Sequence, residues 1–307
     1  MFPDKSKVWL ADRSGICSTD IFVIEAIEGK ADPVFASYIF RSPQFNKAVI
    51  SQLKGAQLPR IGWSSFEEIQ IPLPPIAIQQ EIVTEIEGYQ KVINGARAVI
   101  DNYRPHIAID PDWEIVELGE LCVNFHNGAN FSKEQMGQGT LFVNIKDLFS
   151  SGYIDCDKLE RVELTAVEVE RKKVNPNDLL FVRSSVKEEG VGFPSLMPDN
   201  DETVVFCGFI IKCSPNSELV LPTYLLHLLR TPEFRKKTVA LSNRANITNI
   251  SQDNLKSLLI PVPPIEIQKA IVAEIEAEQA LVNANRELIE RFEKKIQTVL
   301  NRIWGGE

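Results

Sequence analysis

The sequence predicts an α+β protein in which mixed domains with a curved β-sheet are joined to long helices that form an antiparallel coiled coil. Three observations lead to this prediction. A long segment of the chain occurs twice, each copy is followed by apolar residues at heptad spacing, and short runs rich in Val, Ile and Phe lie between the copies.

The internal repeat is the strongest of these signals. Residues 71–87 (IPLPPIAIQQEIVTEIE) return 189 positions later as residues 260–276 (IPVPPIEIQKAIVAEIE), with 12 of 17 positions identical. The same offset relates three further pairs: Pro33 and Pro222, Arg41 and Arg230, and Phe45 and Phe234. This period far exceeds the roughly 20–50 residues of solenoid units. It therefore indicates two copies of a module that combines a domain with a helix.

Each copy continues into a helix with a heptad seam. The first seam consists of Ile82, Ile86, Tyr89, Ile93, Ala96, Ile100 and Tyr103. The second consists of Ile271, Ile275, Val282, Ile289, Phe292, Ile296, Val299 and Ile303, with Glu278 and Asn285 as polar members. Two such seams in one chain favour helices that pair antiparallel within the molecule, and the alternative is an ordinary amphipathic surface helix in each place.

The boundaries follow from these patterns. We expect residues 1–70 to be the later part of a first domain, 71–108 a first spacer helix, 109–260 a second domain and 261–307 a second spacer helix. In the second domain, residues 141–145, 178–183 and 203–212 read as strands, and 222–230 as a helix. In the first copy, STDIFVI (residues 18–24) corresponds to CGFIIKC (207–213), and nothing corresponds to residues 113–190. The chain is therefore expected to begin inside its first domain.

Composition limits the cellular setting. The chain has 307 residues, of which 44% are apolar, and no apolar run approaches the roughly 20 residues of a membrane helix. The first seven residues, MFPDKSK, lack the apolar core of a signal peptide, so a cytoplasmic protein without membrane contact is expected. Five cysteines and three scattered histidines form neither a zinc-site nor a disulfide pattern.

Charge argues against one mode of nucleic-acid binding. The net charge of −9 is unsuited to binding by bulk positive charge. A local exception is residues 222–260, which carry two acidic residues, Glu233 and Asp253, against six basic ones: Arg230, Arg235, Lys236, Lys237, Arg244 and Lys256. Phosphate-binding, nucleophile-elbow and zinc-protease motifs are all missing from the sequence, so it predicts a non-catalytic protein with no cofactor of its own.

Polar loops provide the candidate binding residues. Arg can bond guanine through two hydrogen bonds, Asn or Gln can do so with adenine, and Lys can bind phosphates. The candidate DNA-binding residues are Lys54, Gln57, Arg60, Asn144, Lys146, Arg183, Ser184, Lys187, Asn243, Arg244 and Asn246. Any one of these loops, taken alone, fits a plain polar loop better than a binding site. The pair around Arg60 and Arg244 is favoured because both copies place such a loop before the P-x-P-P helix.

A mixed domain, a polar loop, IPLPPIAIQ (residues 71–79) and a long helix together resemble the DNA-specificity (S) subunit of type I restriction–modification systems. LFVNIKDL (141–148) resembles an early strand segment of that family, and residues 222–234 resemble its helix before the DNA-facing loop. The chain departs from the family at Ile78 and Ile267, where Glu is frequent.

The resemblance implies a non-catalytic subunit that reads a split double-stranded DNA site through two target-recognition domains. It further implies two methyltransferase subunits as partners, which bind S-adenosylmethionine, and through them restriction and translocation subunits. If the chain is naturally truncated, a homodimer is expected to restore two-fold symmetry. Two other readings remain open: a recognition module of another restriction or modification system, and a coiled-coil scaffold with no DNA role.

Overall fold

A computed structural model of the protein describes residues 7–53, 60–149, 152–243 and 247–305. The α-helices are α1 (Pro33–Arg41), α2 (Pro43–Ser51), α3 (Trp63–Phe66), α4 (Ile76–Asn102), α5 (Leu118–Leu121), α6 (Ala166–Lys172), α7 (Pro222–Arg230), α8 (Pro232–Ala240), α9 (Gln252–Lys256) and α10 (Ile265–Ile303). The strands are β1 (Glu114–Glu117), β2 (Cys122–Asn127), β3 (Met136–Val143), β4 (Glu160–Val162), β5 (Lys173–Val174), β6 (Leu179–Val182), β7 (Ser184–Ser185), β8 (Pro194–Leu196), β9 (Val204–Phe206), β10 (Ile210–Pro215), β11 (Thr248–Asn249) and β12 (Leu259–Val262). The chain divides into two compact units, Met1–Tyr103 with Leu281–Glu307, and Arg104–Ala280. No helix in the described ranges is both long and apolar enough to cross a bilayer.

The offset of 189 residues seen in the sequence also relates the helix boundaries. Adding 189 to the first and last residues of α1 and α2 gives the first and last residues of α7 and α8. The same addition takes the first residue of α4 to the first residue of α10. The caps repeat as well: the Ser42 hydroxyl accepts from the Phe45 amide, and the Thr231 hydroxyl accepts from the Phe234 amide. The repeat is therefore one of local structure and not of sequence alone.

The unit Arg104–Ala280 contains most of the β-structure. One four-stranded sheet has the order β2-β10-β6-β8, and a second has the order β4-β3-β9-β5, in which β3 and β9 are parallel. Two-stranded ladders join β1 to β12 and β7 to β11. The first sheet packs against α7, whose Tyr224, Leu225 and Leu228 lie in the same apolar core as Phe181 of β6. The α+β class is confirmed, with the β-structure distributed over several sheets.

The apolar run 203–212 was predicted as one strand, and that prediction is wrong. It forms β9 and β10, which belong to different four-stranded sheets and are separated by a turn at residues 207–209. The strand predicted at residues 141–145 also ends earlier than expected, because β3 (Met136–Val143) stops at Val143. There the Asn144 side chain accepts from the Ile145 amide, and the chain enters a 3₁₀ turn over Ile145–Phe149.

Residues 18–24 form no strand, although their counterpart in the second copy includes most of β10. In the Arg104–Ala280 unit, β10 lies between β2 and β6 and bonds to both. The first copy has no counterpart of either neighbour in this sequence, so a strand there would have no hydrogen-bonding partner. Accordingly Ile21 and Val23 are 52% and 69% exposed.

In the other unit, α4 and the later part of α10 pack side by side. Tyr89 meets Phe292 edge to face at 5.5 Å between ring centroids. Arg97 pairs with Glu293 at 2.7 Å, and Glu85 with Arg302 at 3.2 Å. Because later residues of one helix meet earlier residues of the other, the pairing is antiparallel, as predicted.

The seam residues are buried to different extents and in two different cores. Ile82, Ile86 and Val299 lie in the core that also buries Phe35 and Ile39 of α1. Ile93 and Val282 are buried, and Ile100, Ile289 and Ile296 are half-buried. Ile271 and Ile275, at the beginning of the second seam, pack into the core of the Arg104–Ala280 unit.

A buried glutamine fixes the start of each long helix, and we call this arrangement the glutamine joint. Gln268 of α10 is fully buried, accepts from the Leu221 amide at 2.8 Å, and donates to the carbonyls of Pro263 (2.8 Å) and Leu219 (3.3 Å). In the first copy, Gln79 is likewise fully buried and bonds to the residues that the offset predicts: Asp32 (2.8 Å), Pro74 (2.7 Å) and Lys30 (2.9 Å). Both amide groups thus have three backbone partners, which ties each long helix to the segment that precedes α1 or α7.

Candidate nucleic-acid interface

Two of the predicted polar loops lie together in the Arg104–Ala280 unit. Strand β7 pairs with β11, which aligns Ser185 with Thr248 and Ser184 with Asn249. The Ser184 hydroxyl also donates to the Asn249 side chain at 2.5 Å. Asn243 and Asn249 exchange two backbone hydrogen bonds, at 2.8 and 3.1 Å, across the loop between them. The segments around Ser184 and Asn243 therefore form one continuous surface, which we call the reading ladder.

Arg183 ties a third segment to the reading ladder. Its amide donates to the Phe209 carbonyl at 2.8 Å, and its guanidinium donates to the Gly208 carbonyl at 3.2 Å. The Arg183 carbonyl accepts from the Ile250 amide at 3.0 Å. Arg183 thus joins β7, the end of β11 and the turn between β9 and β10, and its side chain supports that turn.

The turn at residues 207–209 packs against residues 128–130, which follow directly after β2. The Gly208 amide donates to the Ala129 carbonyl at 2.7 Å, and the Ala129 amide donates to the Phe206 carbonyl at 2.9 Å. A Cβ on Gly128 would collide with the carbonyl oxygens of Phe206 and Cys207, and one on Gly208 would collide with the Asn130 side chain. Glycine is needed at position 128 because the backbone of Phe206 and Cys207 approaches so closely there, whereas at position 208 a larger residue would displace the Asn130 side chain. We call residues 128–130 together with the turn at 207–209 the double turn.

Asn144 and Lys146 occupy less direct positions. Asn144 is half-buried, caps the turn that follows β3, and lies 3.8 Å from the Cys207 thiol, so it borders the double turn. Lys146 is exposed and pairs with Glu160 of β4 at 2.6 Å, a hydrogen bond that raises the pKa of its ammonium group. A phosphate contact by Lys146 would have to replace this exposed ion pair, which is a weak interaction in water.

The other predicted residues fall into two groups. Lys187 is exposed two residues after β7, and Arg60 of the first copy is exposed three residues before the start of α3. Lys54, Gln57, Arg244 and Asn246 lie outside the described residues, so their role stays a prediction. The structure brings together Arg183, Ser184 and Asn243, with Asn144 at the border.

In the local basic stretch, 222–260, two of the arginines are bonded inside the domain. Arg235 donates to the carbonyls of Gly192 (2.6 Å), Glu189 (3.0 Å) and Val191 (2.5 Å), and Arg230 donates to that of Pro194 (3.3 Å). Both guanidinium groups lie over the Phe193 ring, at 4.6 Å for Arg230 and 5.2 Å for Arg235. Burial lowers the pKa of each to about 10. These arginines hold the segment after β7 in place.

Sequence reasoning missed Asn249 and Phe209. The repeat offers a signal for the first, because the offset of 189 places Asn249 opposite the candidate Arg60. Phe209 gives no such signal, because it lies in an apolar run that reads as buried strand. In the structure its side chain is 55% exposed at the tip of the double turn.

The fold and these loops define a class of protein in which a polar-loop module occurs twice and each copy continues into a long helix. The chain belongs to the type I restriction modification DNA specificity domain family, whose family model matches residues 5–100 and 111–294. It is similar to the EcoKI specificity subunit of Escherichia coli, with 22% identity over 88% of this chain and 62% of that protein. It is also similar to the MjaVIII specificity subunit of Methanocaldococcus jannaschii, with 22% identity over 96% of this chain and 75% of that protein.

Two further comparisons concern length and fold. A second relative from Methanocaldococcus jannaschii, 28% identical over 64% of this chain, is matched over only 46% of its own length. The chain thus spans about half to three quarters of the relatives it matches. A chain solved in a study of complex assembly and conformational transition of the type I R-M system shares the fold, with a TM-score of 0.61 and 21% identity, over 91% of this chain and 73% of that one.

Proposed function

We propose that this protein is the non-catalytic DNA-specificity subunit of a type I restriction–modification complex. The observation that carries the proposal is the structural repeat: two modules with the same helix boundaries, the same caps and the same glutamine joint, each continued into a helix of one antiparallel pair. A protein that reads a split DNA site needs such duplication, because each half-site requires its own reading surface.

The reading ladder and the double turn suit base recognition in the Arg104–Ala280 unit. Ser184, Asn243 and Asn249 carry hydroxyl and amide groups of the kind that donate to and accept from base edges. The Ser184 hydroxyl and the Asn249 amide already bond to each other, and the Asn249 amide also donates to the Ile247 carbonyl, so base contacts by these two would use their remaining bonding capacity. Strand pairing and the Arg183 contacts hold these groups in place, so less conformational entropy is lost when they bind. In the first copy, Lys54, Gln57 and Arg60 are the corresponding candidates.

The partners follow from the same architecture. Two methyltransferase subunits would dock on the two repeated helix starts, would bind S-adenosylmethionine, and would connect to restriction and translocation subunits. Because the chain itself is acidic, with a net charge of −9, we expect the partners to supply most phosphate contacts and most of the salt dependence. Such a complex would work in the cytoplasm.

The test is to co-express the chain with the methyltransferase encoded beside it and to sequence the host DNA for methylated bases. Two different short half-sites with a fixed gap would support the proposal for both modules. A palindromic split motif would instead assign reading to the second module in a homodimer. A complex that leaves DNA unmethylated would refute DNA reading by this chain.

Single variants connect the reading ladder to one half-site. Lys187→Ala and Asn243→Ala should relax or weaken recognition of one half-site while the complex still assembles. The matched control is Lys158→Ala, an exposed lysine of the same unit outside the ladder. If the first two variants abolish assembly, the loops are structural and the assignment is wrong.

The scaffold reading has one observation in its favour, the antiparallel helix pair itself. It predicts that the chain copurifies with its partners and that both ladder variants leave methylation unchanged. A recognition module of another modification system remains the nearer alternative. It predicts that no neighbouring type I methyltransferase gene is needed for binding.

A further inference from the structure

We propose that Phe209 is a specificity-determining residue that reads the methyl group of a thymine in the half-site contacted by the Arg104–Ala280 unit. This inference rests on the proposed DNA-reading function. It begins from the exposure of Phe209, which is 55% despite the large apolar ring. Its neighbours in the chain show the opposite behaviour: Phe206 and Ile210 on either side of the turn are fully buried.

The turn that carries Phe209 is held on several sides. Arg183 bonds to the carbonyls of both Phe209 and Gly208, and the Gly208 amide donates to Ala129. Close approach of the Phe206 and Cys207 backbone to Gly128 holds the double turn further. The Phe209 ring is therefore presented on a rigid support, which is the property required of a residue that tests one atom group on a ligand.

The surroundings of the ring favour an anionic ligand such as DNA. The Arg183 guanidinium donates to the carbonyl of Gly208, the residue before Phe209, and Lys172 of α6 donates to the Asn127 carbonyl at the end of β2 at 2.6 Å. Both cations bond here to neutral carbonyl groups, so these contacts do not cancel their charge. A negatively charged ligand would thus be attracted to a site that also exposes an apolar ring.

An adjacent polar group indicates which base pair is read. The reading ladder, with Ser184 and Asn249, continues directly from Arg183. In the major groove, an A·T pair presents a donor and acceptor edge on adenine beside the apolar methyl group of thymine. An amide on the strand that Arg183 joins to the turn of Phe209, together with the exposed ring, matches that combination, whereas a G·C pair has no apolar group there.

The experiment measures binding of the assembled methyltransferase complex to duplexes that carry its methylation motif. Each thymine of the half-site is replaced in turn by deoxyuridine, which lacks only the methyl group. For the wild type, one replacement should weaken binding about fourfold, the expected effect of losing one buried apolar carbon. Phe209→Ala should weaken binding to the thymine duplex, and its affinity should no longer change with that replacement.

Two controls separate this reading from others. Phe209→Leu keeps apolar contact and should retain part of the deoxyuridine effect. Leu259→Ala removes another exposed apolar side chain, 54% exposed on β12, and should behave as the wild type does.

Several outcomes would overturn the inference. One is a wild type that tolerates deoxyuridine at every position, and another is a Phe209→Ala variant that keeps the full effect. A loss of affinity that is uniform across all duplexes, together with reduced DNA bending, would show a wedge between base steps instead. If the wild-type complex binds no motif at all, the proposed function itself fails, which is a distinguishable result.

Discussion

Replacing Gln268 with leucine tests whether the glutamine joint stabilises the start of α10. The substitution keeps the volume roughly constant but leaves the Leu221 amide and the Pro263 carbonyl without their partner. The carbonyl of Leu219 can turn to water, because Leu219 is 47% exposed. Each buried unpaired group costs about 1–3 kcal/mol, and the more apolar side chain offsets part of the loss, so unfolding should become easier by about 2–3 kcal/mol.

Two assays would detect this effect in the full chain. The midpoint of urea unfolding should fall by about 1 M at an unchanged slope. Hydrogen exchange at the Leu221 amide should accelerate, because its acceptor is gone. Gln79→Leu should have a similar effect at the Asp32 amide, since the first copy has the same three bonds.

Gln80→Leu is the matched control, because Gln80 is the next residue of α4 and is exposed. It should change stability by less than about 0.5 kcal/mol. A Gln268→Leu protein with wild-type unfolding and unchanged exchange at Leu221 would refute the reasoning. In that case the joint would be held by apolar packing and not by the amide.

Two further predictions concern buried charge in the Arg104–Ala280 unit. Asp178 accepts from Lys212 and from the Ser214 hydroxyl, both at 2.6 Å. Asp178→Ala should therefore lower the unfolding free energy, measured by urea titration, by about 3–5 kcal/mol. The double variant Asp178→Leu with Lys212→Met should recover most of that lost stability. An equally unstable double variant would contradict this. Burial lowers the pKa of His227 in the folded state, although nearby Glu276 opposes the shift. Folding therefore favours the neutral ring, and stability is lost as pH falls below about 6.5, where the unfolded chain binds a proton on this ring. His227→Gln should lose less stability than the wild type between pH 7.5 and 5.5, and equal losses would exclude His227 as a cause.

The long helices could be predicted because their signal is repeated and local. The heptad seam from Ile82 to Tyr103 predicted a helix, and α4 occupies Ile76–Asn102. The starts of α1, α2, α7 and α8 are each marked by proline, whose fixed φ suits the first helical turn. These features depend on neighbouring residues alone, so one sequence is enough to find them.

The strands were harder to predict because they depend on distant partners. Residues 203–212 are mostly apolar and read as one strand, yet the turn at residues 207–209 divides them, because the Gly208 amide bonds the Ala129 carbonyl. Residues 18–24 form no strand, because the first copy has no counterparts of β2 and β6 with which they could pair. A run of apolar residues indicates burial or pairing, but it does not say with what.

The candidate site was only partly predictable for the same reason. Arg235 and Arg230 belong to a basic stretch of the sequence, and in the structure both lie over Phe193 and support it. Arg183 stays a predicted DNA-binding residue, and its guanidinium also bonds a carbonyl of the double turn. Charge and hydrogen-bonding capacity are visible in a sequence, but the partner that uses them is set by tertiary structure.

The discontinuous unit, which unites Met1–Tyr103 with Leu281–Glu307, has a consequence for biosynthesis. Phe35 and Ile39 share their core with Val299 and Leu300, which a ribosome adds roughly 260 residues later. At about 5–20 residues per second, the early helices would wait tens of seconds for the side chains that cover them. During that interval the Arg104–Ala280 unit can emerge and close on its own, so we expect the second part of the chain to finish folding before the first. Translation rate and chaperone supply would then affect the yield of the early unit more than that of the later one.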